Sequence, residues 1–136
     1  MNPRYVQALY EGKRRAPVRV GDLDYALCRE IGATRAAVWL SYETMSKQLV
    51  RHPELGSDHY LVAPLALTYG AVFRDVGQSL MILYEDTCVF GVTFKLALKA
   101  TKAGDEIFLT SLHQMRWRHI AGQCRRKELL RRHWMG

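Results

Sequence analysis

The residues that could carry chemistry lie in two stretches of the chain. His52 stands in "KQLVRHPEL", while Lys99, Thr101, Ser111 and His113 lie in "KLALKATKAGDEIFLTSLHQ". Cleavage of RNA through the ribose 2′-hydroxyl needs a base for the 2′ proton and an acid for the leaving 5′ oxygen. Histidine can do either near neutral pH. We therefore predict that His52 and His113 form a catalytic acid–base pair, assisted at the phosphate by the lysine and the hydroxyls.

Basic side chains near these stretches are predicted to hold the substrate's phosphates: Lys47, Lys95, Arg116, Arg118, Arg125 and Arg126. Their charge is local, because residues 114–136 hold seven basic and one acidic residue, a net charge of +6. The remaining residues supply only +1 of the chain's total of +7. A local basic stripe is typical of a protein that binds a polyanion, so RNA is the expected partner.

Several other function classes lack support. The chain contains no GxGxxG, Walker or HExxH motif, and His113 and His119 have no carboxylate pair beside them, so no cofactor and no metal are predicted. Three scattered cysteines favour a reducing compartment, hence the cytoplasm, with delivery into a target cell left open. No run of about 18 apolar residues exists, so no membrane partner is expected.

The same residues also have a purely structural interpretation. A strand face with lysines and hydroxyls is commonly just solvated, and single histidines are more often structural than catalytic. The basic C-terminal stripe could be a solvated helix face that keeps the protein in solution.

The elements that must position these residues follow from hydrophobic periodicity and turn signals. Helices are predicted over residues 4–11, 23–31 and 42–51, with Ser41 as N-cap of the third and Pro53 limiting its end. Short strands are predicted over 17–21 and 36–40. Four further strands are predicted over 70–74, 80–84, 90–101 and 106–111, followed by a helix over 120–133.

This order predicts one α+β domain over residues 1–136, with N-terminal helices followed by a four-stranded antiparallel sheet and a basic C-terminal helix. Its parts are an N-terminal helix (1–16), an α+β core (17–113) and the basic helix (114–136).

The loop between the last two strands decides which candidate residues share a face. A three-residue loop ending at Gly104 puts Lys95 opposite Ser111, so that both share a face with His113 and Lys99. A four-residue loop that includes Asp105 puts Lys99 opposite Phe108 and turns Ser111 and His113 to the other face. The position of the glycine favours the shorter loop.

The order of motifs resembles the small phage- and mobile-element-associated nucleases of the barnase, EndoU, colicin and RelE-like (BECR) fold. The stretches that carry the resemblance lie between Val18 and His113: "VWLS", "YETMSKQLVRHPEL", "HYLVAPLAL", "YGAVFRD", "LMILYED" and "FKLALKATKAGDEIFLTSLHQ". It implies a sheet whose open face cuts RNA. It puts six residues at matching positions: Lys47, His52, Lys99, Thr101, Ser111 and His113. A barnase-type catalytic glutamate has no counterpart, since Glu106 lies at the turn end of its strand.

Many domains of this kind are toxins or effectors, or are fused to phage proteins. The resemblance therefore implies a metal-independent endoribonuclease that acts as a toxin or phage-derived nuclease, with a protein inhibitor or a mobile-element protein as a possible partner. The alternative is a non-enzymatic nucleic-acid-binding or phage-assembly module that uses the basic C-terminal helix. A partner-binding domain that uses Trp134 and Met135 is a third hypothesis.

Overall fold

A seven-stranded mixed sheet runs through the computed structural model, which describes residues 1–132. The strands are β1 (Val18–Asp22), β2 (Ala37–Leu40), β3 (Ala71–Arg74), β4 (Ser79–Asp86), β5 (Val92–Ala100), β6 (Ile107–Met115) and β7 (Leu129–Arg131). Their order is β1-β2-β6-β5-β4-β3-β7. Neighbours are antiparallel except β2 and β6, which are parallel.

The prediction of a four-stranded antiparallel sheet is therefore wrong. The four expected strands do form an antiparallel meander, β3 to β6, but this is only the middle of the sheet. β1 and β2 extend it beyond β6, because Val38 and Leu40 face the core and the backbone of β2 pairs with β6. β7 extends the other edge by pairing with β3.

The helices are α1 (Pro3–Tyr10), α2 (Tyr25–Glu30), α3 (Tyr42–Arg51), a 3₁₀ helix (Ser57–Val62), α4 (Ala63–Tyr69) and α5 (Trp117–Arg126). α3 has the predicted bounds, and the Ser41 hydroxyl accepts a hydrogen bond from the Thr44 N–H, so its N-cap is confirmed. Within residues 1–132, every helix is too short or too polar to span a membrane.

The C-terminal helix is shorter than predicted, because α5 ends at Arg126 and residues 129–131 form β7. Pairing with β3 overrides the local helix propensity of this segment. The Arg131 guanidinium also donates to the carbonyls of Gly70 and Ala66 at the end of α4, which fixes the strand in place. The predicted end of the helix at His133, and the partner-binding role predicted for Trp134 and Met135, lie outside the described residues.

The two faces of the sheet differ. One packs against α1, α3, the 3₁₀ helix and α4 and holds the main core, which includes Tyr60 and Phe94. The opposite face, called the outer face below, carries a second and smaller cluster of Phe73, Met81 and Leu83. Ile120 and Cys124 of α5 pack against that cluster.

The hairpin between β5 and β6 has the longer of the two predicted loops, so the prediction of a three-residue loop is wrong. The Thr101 N–H donates to the Glu106 carbonyl at 3.0 Å, and Lys99 lies opposite Phe108. Gly104 does adopt a positive φ of 76°, but its position is set by a close approach: a Cβ there would lie 2.0 Å from the Gly32 carbonyl oxygen. The loop therefore docks against the chain that follows α2.

A β-bulge in β6 then returns Ser111 and His113 to the face of Lys95, from which the longer loop alone would turn them away. The pairing shifts between Ala97 and Leu98, so that Thr110 is the extra residue of β6 and its hydroxyl donates to the Ala97 carbonyl at 3.2 Å. Beyond the bulge Lys95 lies opposite His113, and Ala97 lies opposite Ser111. Lys95, Ser111 and His113 thus share the outer face, as predicted, although the register that achieves it is different.

Candidate active site

His52 and His113 meet at the end of β6. Their imidazole rings stack with centroids 5.1 Å apart and an interplanar angle of 4°. His52 is the C-cap of α3, and His113 projects from the outer face of β6. The two residues that sequence chemistry selected as an acid–base pair are therefore neighbours in space, although 60 residues separate them along the chain.

Gln48 of α3 brings the two histidines together. β2 pairs with β6 only at Ile107 and Phe108, so the backbone of Leu112 lies beyond the reach of that neighbouring strand. The buried Gln48 amide takes the place of a strand there: it donates to the Leu112 carbonyl at 2.6 Å and accepts from the Leu112 N–H at 3.3 Å. His52 lies one helical turn after Gln48 and His113 follows Leu112, so this link sets their separation.

Each ring is anchored through the same nitrogen. His113 Nδ1 lies 3.2 Å from the carbonyl oxygen of Gln114, which can only accept, so Nδ1 carries the proton. His52 Nδ1 lies 3.3 Å from a carboxylate oxygen of Glu54. Both contacts leave Nε2 as the nitrogen that is available to a substrate.

The surroundings of His113 favour its neutral form. Burial lowers the pKa of His113, and the positive charges of His52 and Lys95 lower this pKa further, against an opposing effect of the Gln114 carbonyl. A neutral imidazole with a free Nε2 can accept a proton at neutral pH. Lys95 lies directly across the strand pair from His113, where its ammonium group can contact an anion beside the rings.

The other predicted catalytic residues are spread along the outer face. Ser111 lies two residues before His113 on the same face. Lys99 is four residues from Lys95 along β5, about 13 Å at strand spacing, so it does not reach the histidine pair. Thr101 lies beyond Lys99, and its hydroxyl donates to Asp105 at 2.6 Å, which stabilises the turn.

The predicted substrate-binding residues form no single site. Lys47 is exposed on α3 beside Val50 and Arg51. Four exposed arginines belong to the start or the body of α5: Arg116, Arg118, Arg125 and Arg126. Two further basic residues of the C-terminal stripe have structural partners, because Arg131 caps α4 and Lys127 pairs with Asp75 at 2.8 Å.

Sequence reasoning missed Glu54 and Gln48. A carboxylate two residues after a candidate catalytic histidine was a usable signal for Glu54. Gln48 gave no signal, because its role depends on a strand edge 64 residues away. His59, by contrast, accepts a hydrogen bond from the Gly56 N–H at 2.9 Å and stacks on Phe90, which is a structural role.

Among residues 1–132, no three His, Cys, Asp or Glu side chains come together as a group that could hold a metal ion. Comparisons with protein-family models, with curated proteins and with solved structures find no match.

Proposed function

We propose that the chain is an endoribonuclease that cleaves RNA by general acid–base catalysis without a metal. The observation that carries the proposal is the stacked pair of His52 and His113, with Lys95 opposite His113. Two imidazoles with free Nε2 atoms beside a cation are what cleavage through the 2′-hydroxyl requires.

The geometry supports distinct roles for the three residues. His113, whose pKa is lowered by burial, takes the proton from the 2′-hydroxyl through Nε2. The 2′ oxygen then bonds to phosphorus while the bond from phosphorus to the 5′ oxygen breaks, and His52 protonates that leaving oxygen. Lys95 stabilises the extra negative charge on the phosphate oxygens as it develops. The products are a 2′,3′-cyclic phosphate and a free 5′-hydroxyl.

The resemblance to BECR nucleases supports a setting for this activity. On that basis we propose a toxin or a phage-derived nuclease whose target is cytoplasmic RNA. Toxicity on expression in a bacterial host, lost in the variant that carries both His52→Ala and His113→Ala, is the expected outcome.

The direct test is incubation of purified protein with total RNA, with and without EDTA. The wild type should cleave in both conditions, and the His52→Ala/His113→Ala variant should lose activity by about 10² or more, the usual contribution of acid–base groups. His119→Ala is the matched control, because His119 is exposed on α5 and outside the pair. RNA that stays intact under every condition would overturn the proposed ribonuclease activity, and cleavage that EDTA abolishes would overturn the metal-free mechanism.

A second candidate function is non-enzymatic nucleic-acid binding by α5. The observation that favours it is the exposure of Arg116, Arg118, Arg125 and Arg126 on this helix. Binding of this kind weakens steeply with salt, because each contacted phosphate releases counterions. Salt-dependent RNA binding by a protein that cleaves nothing would favour it, and binding that is insensitive to salt would exclude it.

A further inference from the structure

Two large aromatic residues on the outer face have no hydrophobic cluster to pack into. Trp39 of β2 and Phe108 of β6 are direct neighbours across the parallel strand pair. Both are half-buried, and neither belongs to the main core or to the cluster of Phe73, Met81 and Leu83. Part of each side chain therefore remains exposed to solvent, unlike the buried aromatic residues of the core.

Phe108 lies between two shallow depressions. One, of about 460 Å³, is lined by Phe108 together with Gln78, Lys99, Lys102 and Thr110. The other, of about 370 Å³, is lined by Phe108 together with Arg15 and Glu43, and the Arg15 guanidinium lies 4.3 Å above the ring of Tyr42. Phe108 thus borders one depression with two lysines and another with an arginine and a glutamate.

The charges around Phe108 are mostly unpaired cations. Among the described residues, no carboxylate lies within 4.0 Å of the ammonium groups of Lys95, Lys99 or Lys102. Lys99 lies opposite Phe108 and Lys95 lies opposite His113, so the two lysines follow β5 on the outer face from Phe108 toward His113. Aromatic rings beside a track of cations are the features by which proteins hold single-stranded nucleic acid, with bases on the rings and phosphates on the cations.

We propose that this half of the outer face binds single-stranded RNA, with one base stacked on Phe108 and its phosphates running along Lys99 and Lys95 toward His113. The proposal rests on the proposed function and names its substrate and a base subsite. Phe108 is five residues from His113 along β6, about 15 Å at strand spacing, so the stacked base lies a short distance along the strand from the reacting phosphate. Paired RNA is a poor ligand here, because its bases are already stacked on each other.

The test measures binding without cleavage. A fluorescent 2′-O-methyl RNA oligonucleotide, which has no free 2′-hydroxyl, is titrated with protein and followed by anisotropy. Phe108→Ala should weaken binding about tenfold, the usual scale for loss of one stacked base. Tyr25→Ala is the matched control: Tyr25 is an exposed aromatic residue on α2 with Arg29 above it, and its removal should leave binding unchanged.

A scan with a single abasic nucleotide locates the subsite. One abasic position should weaken binding to the wild type by the same factor as Phe108→Ala and should cause no further loss in that variant, since the two changes remove the same contact. The corresponding duplex should bind more weakly than the single strand. The proposal would be overturned if Phe108→Ala bound the oligonucleotide as tightly as the wild type. It would also be overturned if the abasic position weakened binding to Phe108→Ala as much as to the wild type, or if the duplex bound more tightly than the single strand. The absence of oligonucleotide binding would also overturn it and would leave a protein partner as the occupant of this face.

The outcomes separate this inference from the catalytic one. If the protein binds RNA through stacking but leaves total RNA intact, the proposed ribonuclease activity is overturned and the single-strand subsite is supported. If Phe108→Ala cleaves RNA with unchanged binding and unchanged cut positions, the ribonuclease activity is supported and the subsite is overturned.

Discussion

The outer face of the sheet consists of two halves with opposite character. Over β3 and β4, Phe73, Met81 and Leu83 lie under α5 and exclude water. Over β5, β6 and β2, the same face presents lysines, Trp39, Phe108 and His113, and among the described residues no hydrophobic cluster forms there. One sheet surface thus contributes stability on one side and leaves polar and aromatic groups accessible on the other.

The difference indicates that the two halves contribute unequally to the stability of the fold. Burial of apolar side chains is favourable wherever α5 can cover them. The side chains of the open half are less buried, so they contribute less to the stability of the fold. Variants in the two halves should therefore have opposite effects on unfolding and on RNA cleavage.

Insertion of one alanine after Thr110 should have the largest effect. The bulge holds a single extra residue, so the insertion shifts every later residue of β6 by one position, which turns Ser111 and His113 toward the core and Leu112 away from it. We expect loss of RNA cleavage by 10² or more together with a marked loss of stability. Thr110→Ala is the control, because it keeps the bulge and loses only the hydrogen bond to Ala97, worth about 1 kcal/mol. Urea unfolding and cleavage assays measure both; an insertion variant with normal cleavage would contradict the register assigned to the end of β6.

Met81→Ala and His113→Ala should separate the two halves. Met81 is fully buried in the covered half, so its truncation should lower the free energy of unfolding by about 2–5 kcal/mol while the folded molecules cleave normally. His113→Ala should do the reverse, with cleavage lost by 10² to 10⁴ and a smaller effect on unfolding. If both variants lost activity and stability in parallel, the division between the halves would not hold.

Arg131→Gln and Arg125→Gln should distinguish an arginine of the basic C-terminal stripe that stabilises the fold from one that is free to contact RNA. Arg131 caps α4, and loss of its charged hydrogen bonds should cost about 1–3 kcal/mol of stability. Arg125 is exposed, so its neutralisation should leave unfolding unchanged and, where it contacts phosphate, should lower the slope of RNA affinity against salt by about one ion. A change in unfolding for Arg125→Gln with no change in the salt slope would contradict this assignment.

The smallest expected effect is a pH dependence of stability. Burial lowers the pKa of His113 from its ordinary value of 6.5, so the folded state keeps the ring neutral where the unfolded chain already binds a proton. The stabilisation is complete above pH 6.5 and is lost as the pH falls toward the folded pKa, by at most about 1.4 kcal/mol per pH unit. Urea unfolding between pH 8 and 5 should show this slope, and His113→Gln should reduce it. Identical slopes in the two proteins would indicate that His113 is not desolvated.

The sequence alone predicted those features that depend on nearby residues. The bounds of α3 follow from Ser41 and Pro53, and the four strands of the meander follow from alternation and turn signals. The pairing of β2 with β6 could not be predicted, because it joins residues about 70 positions apart. β7 was mistaken for helix, since its Leu-Leu-Arg segment has good helix propensity and only contact with β3 makes it a strand.

The residues of the candidate site were predicted from the sequence, but part of the reasoning that placed them on one face was wrong. Residue chemistry selected His52 and His113, and the structure places them in contact. The shared face of Lys95, Ser111 and His113 was derived from the wrong loop length, and only the bulge at Thr110 makes it true. A bulge in a strand of ordinary composition has no local signature, so this part of the site needed the structure.

The link through Gln48 also means that the histidine pair can be disabled from a distance. Its amide touches neither imidazole, yet it ties α3 to a stretch of β6 that β2 does not reach. A shift of α3 by the length of one hydrogen bond would part the two rings without changing either side chain. The spacing of the pair therefore depends on how α3 is held as much as on the imidazoles themselves.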